Sequence, residues 1–180
     1  VSTSGNTKQN IMFDRVEKVR YIYIYPIKWY SHMSMRADVY IEITPKYKLI
    51  VGAHPENTRT YSSRYGNARI GTGYARSMLS SSLFWAAWTN KPGQWMQIDM
   101  MYNKRIGGVI IAASNGPAMV TILTVYTRVN DGKWSPQLVN IKAITKPNQI
   151  KRIEFMGIVE ARYVKFEVRK WKYHIIMKAD

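Results

Sequence analysis

Three histidines, six tryptophans and one carboxylate set in an apolar run are the side chains with which this chain could do chemistry. Asp99 follows Trp95, Gln97 and Ile98 on an alternating stretch, where a general acid could sit. Acid–base work needs a second titrating group within reach, and no Asp, Glu or His neighbours Asp99 in sequence. A lone strand-borne carboxylate is instead expected to be a hydrogen-bonding group paired with arginine, Arg162 or Arg76 being the first candidates. His32 and His174 occupy matching contexts, and only His54 remains as a further imidazole, too few ligands for a metal. Both are expected to be structural. Trp85, Trp95, Trp134 and Trp171 could stack on a ligand, but large aromatics on alternating strands are expected in the core. No Ser-His-Asp order, phosphate-cradling glycine loop or spaced carboxylate pair is present, so no enzyme is expected. The absence of cysteine excludes thiolate zinc, redox pairs and disulfides.

The elements that would position these groups occur in near-duplicate. Lys18-Val19-Arg20-Tyr21 through Trp29, His32 and Asp38 returns as Glu160-Ala161-Arg162-Tyr163 through Trp171, His174 and Asp180, at a constant offset of 142 residues. That period is too long for a solenoid and suits one globular domain. Two full copies do not fit in 180 residues. Residues 1–45 are therefore expected to be the C-terminal remnant of a first domain, 46–57 a linker, and 58–180 a complete second domain. The linker is short, so the copies are expected to touch. The opening without Met and the stop at the repeat boundary suggest a piece of a longer tandem protein.

Period-two alternation dominates the pattern. Residues 19–25, 39–43, 120–129, 150–155 and 163–168 alternate β-branched or aromatic residues with others and predict strands. Asn130-Asp131-Gly132 predicts a tight hairpin with positive φ. Only residues 75–79 suggest a short helical turn. Many short strands with turns between them predict an all-β chain, an antiparallel sandwich or jelly roll, with N-terminal strands left from the preceding copy. No apolar run reaches membrane-spanning length.

Several motifs in order resemble the discoidin domain, the coagulation factor V/VIII type C family with its galactose-binding-like sandwich. They are Ala75-Arg76-Ser77-Met78-Leu79, Trp85 with Trp95-Met96-Gln97-Ile98-Asp99-Met100, Ile106-Gly107-Gly108-Val109, Asn130-Asp131-Gly132-Lys133-Trp134, and Ala161-Arg162-Tyr163-Val164-Lys165 with Trp171 to Ala179. In the remnant, Gly5-Asn6-Thr7 and Phe13-Asp14 fit as well. Met101 stands where the family usually has glycine. Many secreted members close the domain with a disulfide, which this chain cannot form.

The resemblance implies a non-catalytic module that binds with loops at one end of the sandwich. The first loop falls at residues 64–69, where Arg64, Tyr65, Asn67 and Arg69 could hydrogen-bond, stack on a sugar face or pair with phosphate. The second falls at residues 114–119, with Asn115 and with Met119 expected to be exposed. The net charge of +16 divides into +4 on residues 1–54 and +12 on residues 55–180, a dispersed field that favours acidic partners. Expected partners are glycan or anionic phospholipid. The alternative is a structural docking repeat in a large assembly, cytoskeletal or ciliary, contacting acidic protein surfaces. No nucleic-acid reader motif appears, so nucleic acid is not expected. An extracellular or cell-surface location is expected, with an intracellular assembly as the alternative given the lack of cysteine. No cofactor is expected, and a structural calcium is left open.

Overall fold

β-Branched and aromatic residues alternate with polar ones through the second half of the chain, and there they form ladders. A computed structural model describes residues 21–37, 50–52 and 54–180. The chain divides into two units, Val1–Lys48 and Leu49–Asp180.

In the second unit the strands are β1 (Arg59–Tyr61), β2 (Trp85–Ala86), β3 (Trp95–Ala112), β4 (Met119–Arg128), β5 (Ser135–Lys142), β6 (Ile150–Lys172) and β7 (Ile176–Ala179). Their order is β2-β7-β3-β6-β4-β5, with β1 also on β3, and every pairing is antiparallel. This is the antiparallel sandwich expected from the sequence. The segments read separately as 150–155 and 163–168 join in one strand of 23 residues, β6. β3 likewise runs through 18 residues. Each serves both layers. The start of β3 pairs β1 and the later part of β6, while its end pairs the start of β6 and β7. Register shifts between Asp99 and Lys104, and between Ile106 and Gly108, let the strand turn from one layer to the other. Met101 sits at the first irregularity with φ 70, in the left-handed region that explains the family's preference for glycine there. The Asp99 carboxylate accepts its N–H at 2.8 Å.

The core lies between the layers. Met96, Ile98, Val125, Val164, Phe166 and Val168 from one layer meet Ile111, Trp85, Ile175 and Met177 from the other, all buried. Each such side chain contributes about 1.5–3 kcal/mol by leaving water. The expectation that all four tryptophans pack inside is corrected. Trp85 is fully buried and Trp171 packs against the core. Trp95 shares the outward phase of β3 with Gln97 and Asp99, and Trp134 lies in the β4–β5 connection; both are half-buried and outside the core. That connection makes a tight turn at residues 129–132, of a different backbone form from the one expected. Gly132 does not take positive φ; its N–H bonds Val129 O at 3.2 Å, and a Cβ there would come within 2.6 Å of Val129 Cγ2. Glycine provides room rather than handedness. Residues 75–79 form no helix: Ala75 bridges Trp85, Arg76 and Ser77 are irregular, and Met78 and Leu79 lie in a bend and turn.

The unit is closed without cysteine by a buried ionic clasp. Arg59 is fully buried on β1. Its guanidinium donates to His54 O at 3.1 and 3.0 Å, to Ala179 O at 2.6 Å, to Ser77 Oγ at 3.1 Å, and to the Asp180 carboxylate. Asp180 also accepts the Leu79 N–H at 2.9 Å. Glu56 accepts the N–H groups of Ser77 and Met78 at 2.9 and 3.0 Å. The first and last strands of the unit are thereby tied together. Burial and the cations Lys104 and Arg59 hold the His54 imidazole below its usual pKa.

In the first unit, residues 21–25 of the expected 19–25 strand are described and lie in no ladder. The Tyr23 and Tyr25 rings stack at 6.4 Å. Ser31 has φ 60, the same value as Tyr173 at the matching repeat position. The expected strand at 39–43, the motif residues at 5–7 and 13–14, and residues 46–49 and 53 of the linker lie outside the described residues. Among the described residues no helix is long and apolar enough to cross a membrane.

Candidate functional site

Two serines fix the base of the first loop. Ser62 and Ser63 donate their hydroxyls to Gln94 Oε1 at 2.7 and 2.5 Å, while Trp85 Nε1–H donates to Ser63 O at 2.9 Å. The Trp88 N–H donates to Ser63 Oγ at 3.0 Å. From this base the chain enters a short 3-10 turn, Tyr65–Asn67, in which Gly66 and Asn67 take φ 66 and 50. Glycine and asparagine are the residues that enter this region at least cost. The reversal carries Tyr65 over the end of the sandwich.

Tyr65 is the centre of an aromatic cluster. Its ring lies 5.4 Å from Tyr74 and 5.8 Å from His174, both edge-on, and 5.8 Å from Trp88. Tyr65, Tyr74 and Trp88 are 48 %, 41 % and 53 % exposed, so each ring is packed on one side and open on the other. Tyr65, Tyr74, Ala86, His174 and Ile176 line an open depression of about 300 Å³. His174 is set by two contacts. Asn90 Nδ2 meets its Nδ1 at 2.9 Å, and its Nε2 meets Ala87 O at 3.1 Å. An Nε2–H tautomer satisfies both. With both nitrogens engaged the imidazole is structural, as the sequence suggested, and it also walls the depression.

Of the residues expected to bind, Arg64, Tyr65, Asn67 and Arg69 fall together on this loop, and Tyr65 alone lines the depression. The side chains of Arg64, Asn67 and Arg69 make no hydrogen bond within the described residues, leaving their donors available. Asn115 is exposed on the second loop, whose neighbour Ser114 is held by Ala118 O at 3.0 Å. Met119 is a correction: it is 2 % exposed, in the core. It is already the first residue of β4, opposite Lys172, and its phase points inward. That register still puts the second loop beside the 173–174 turn. Tyr74, Trp88 and Asn90 were missed by sequence reasoning. The signal available was weak, a Trp-Thr-Asn run with no alternation.

No carboxylate lines the depression. Among the described residues no group of three or more His, Cys, Asp or Glu gathers. Asp99 is taken by Arg162, which donates to its two oxygens at 2.7 and 2.8 Å and holds its carboxyl below the usual range. The arrangement offers aromatic faces ringed by donors, which suits gripping a polar ligand and lacks the paired groups of catalysis.

The family model of the F5/8 type C domain matches residues 57–179. Discoidin II from Dictyostelium discoideum superposes with a TM-score of 0.59 at 16 % identity over 67 % of this chain and 52 % of that one, so the chain spans about half the length of that relative. Chitosan-binding module 1 of a chitosanase/glucanase from Paenibacillus sp. IK-5 gives 0.54 at 20 % identity over 69 % and 93 %. The family 32 CBM of C. perfringens NanJ, solved in complex with galactose, gives 0.54 at 12 % over 70 % and 96 %. Comparison with the curated proteins finds no match.

Proposed function

This chain belongs to the F5/8 type C domain family, and from that membership we propose that it is a non-catalytic module that binds glycan through the Tyr65 end of its sandwich. The carrying observation is the cluster of Tyr65, Tyr74 and Trp88, half-open rings above a depression walled by a fixed His174. A pyranose presents an apolar C–H face and a rim of hydroxyls. The first suits an open ring, and the second suits the donors of Arg64, Asn67 and Arg69. Structural relatives that bear on this choice are named for chitosan binding and for complexes with galactose and with 4,5-unsaturated mannuronic acid. Lipid insertion is the weaker reading because Met119, the aliphatic candidate at the tips, is buried. Residues 58–180 are the gripping unit in this reading, residues 1–45 the tail of a first copy, and the location extracellular or at the cell surface.

A glycan array followed by calorimetry on the best binder tests it, with liposome sedimentation in parallel. Tyr65→Ala is expected to weaken glycan binding by at least about tenfold, or 1.4 kcal/mol, and Arg69→Ala by less. Binding untouched by both substitutions, or sedimentation with liposomes and no glycan binding at all, overturns the assignment.

A further inference from the structure

The outward face of β4 and β6 carries a second cluster that shares no residue with the depression. Burial of Val125, Val164 and Phe166 sends Tyr126, Arg128, Tyr163 and Lys165 to the opposite side. Register makes them cross-strand neighbours, Tyr126 opposite Lys165 and Arg128 opposite Tyr163. Trp134, brought back by the β4–β5 connection, completes the group. The Arg128 guanidinium lies 4.8 Å from the centre of the Trp134 ring and 4.5 Å from that of Tyr163. The Lys165 ammonium lies 4.5 Å from Trp134 and 4.9 Å from Tyr126.

Positive charge on this face exceeds negative. Asp99 is engaged by Arg162, and Glu167 by Arg169 at 2.8 Å. Lys165 reaches Glu167 only at 4.0 Å, beyond hydrogen-bonding distance. Arg128 makes no contact ion pair among the described residues, although Asp99 feels its charge, and its Nε is buried without a hydrogen bond. A cation resting on aromatic faces is held in place and partly stripped of water. It therefore pairs more strongly with an incoming anion than a solvated surface lysine does.

We propose that this face is a second binding site, for an acidic glycan whose carboxylates pair with Arg128 and Lys165 while its sugar rings pack on the open part of Trp134. Charge complementarity selects a polyanion, and the share of aromatic surface selects a sugar. An acidic peptide adding as a strand is disfavoured at the adjoining edge. β5 carries Pro136, which has no N–H, and its ladder with β4 shifts register on both sides of Val125.

The test is calorimetry of the full chain with oligogalacturonate and with a neutral galacto-oligosaccharide, each at two salt concentrations. Lys165→Gln and Arg128→Gln are each expected to weaken oligogalacturonate binding about tenfold, to flatten its salt dependence, and to leave the neutral sugar unaffected. Tyr65→Ala should do the reverse, so failure of the loop site and failure of this face are separable. If Arg128→Gln lowers the melting temperature, Lys165→Gln decides alone, since the Lys165 ammonium makes no hydrogen bond among the described residues and reaches Glu167 only at 4.0 Å. Three results overturn the assignment: no oligogalacturonate binding by the wild type, binding abolished by Tyr65→Ala and kept by Lys165→Gln, or displacement by poly-glutamate at equal charge concentration.

Discussion

Residues 21–37 and 163–179 follow one pattern and meet different fates. In the second unit Phe166 is fully buried and Val168 donates its N–H to Gln94 O at 2.7 Å. At the matching positions in the first stand Ile24, 52 % exposed, and Pro26, which has no N–H to donate. Yet one backbone feature is shared in the bend that follows Trp29 and Trp171: Ser31 and Tyr173 both have φ 60. A turn is settled by its own residues. A ladder needs partners from elsewhere, here β2, β3 and β4, so an alternating sequence is a request for pairing and not a guarantee of it.

The largest effects should separate matching positions of the two repeats. Phe166→Ala is expected to cost about 3–5 kcal/mol through lost transfer energy and a cavity. Ile24→Ala, at the same repeat position, should stay within about 0.5 kcal/mol. Urea titrations of both variants read the contrast directly. Equal losses would mean that Ile24 is buried as Phe166 is, and the comparison would fail.

Next comes the clasp, which fastens the end of the second unit. Arg59→Ala leaves the Asp180 carboxylate and the Glu56 site without their buried cation. Breaking a buried pair costs about 3–5 kcal/mol; the lower end is expected because the last strand can peel back and rehydrate Asp180. Hydrogen exchange should then rise first at Ile176–Ala179, making β7 resemble its unpaired counterpart. Uniform exchange across the unit would show that the clasp does not localise stability there.

These regions also divide what was legible in sequence from what was not. For Asp99 the sequence narrowed the partner to Arg162 or Arg76, and the fold selects Arg162. The sandwich and the β4 strand could be read because alternation and family spacing are properties of neighbouring residues. The clasp could not. Glu56, Arg59 and Asp180 meet only when the ends of the unit close, and nothing local distinguishes a buried arginine from a solvated one. Trp134 was misjudged because residue type favours burial while position, just outside β5, put it over Arg128 and Lys165 on the outer face. Met119 was misjudged by one residue of strand boundary, which is enough to exchange a loop tip for the core. Of the depression, Tyr65 was visible as a tyrosine between arginines, but its company of Tyr74, Trp88 and His174 arises from three separate loops.

A smaller effect tests the turn itself. Tyr173 pays the left-handed penalty with a 67 % exposed ring that contributes little packing. Tyr173→Gly removes a strain of about 1–2 kcal/mol and raises the entropy of the unfolded chain, so a net gain under about 1 kcal/mol is expected. Ser31→Gly relieves the same local strain but should leave the unfolding transition of the second unit in place. A shared shift would show that the two units unfold together.

The smallest effect is electrostatic and concerns a contact that ties β3 to β6 in the second copy. Arg162 stabilises the Asp99 carboxylate with two hydrogen bonds, so the folded pKa lies below the unfolded value of about 3.9. At low pH the unfolded chain then binds the proton more readily. The contribution is complete above about pH 4 and is lost as pH falls through the folded pKa. Both side chains are partly exposed, 24 % for Asp99 and 27 % for Arg162, and solvent and salt screen the pair. Asp99→Asn should therefore lower the melting temperature slightly at pH 7 and not at all near pH 2, so the curves of variant and wild type converge in acid. Raising the salt at pH 7 should narrow the gap as well. A gap that persists at low pH would assign the role of Asp99 to its neutral hydrogen bond with Met101 N–H, which helps hold β3 at its turn between the layers.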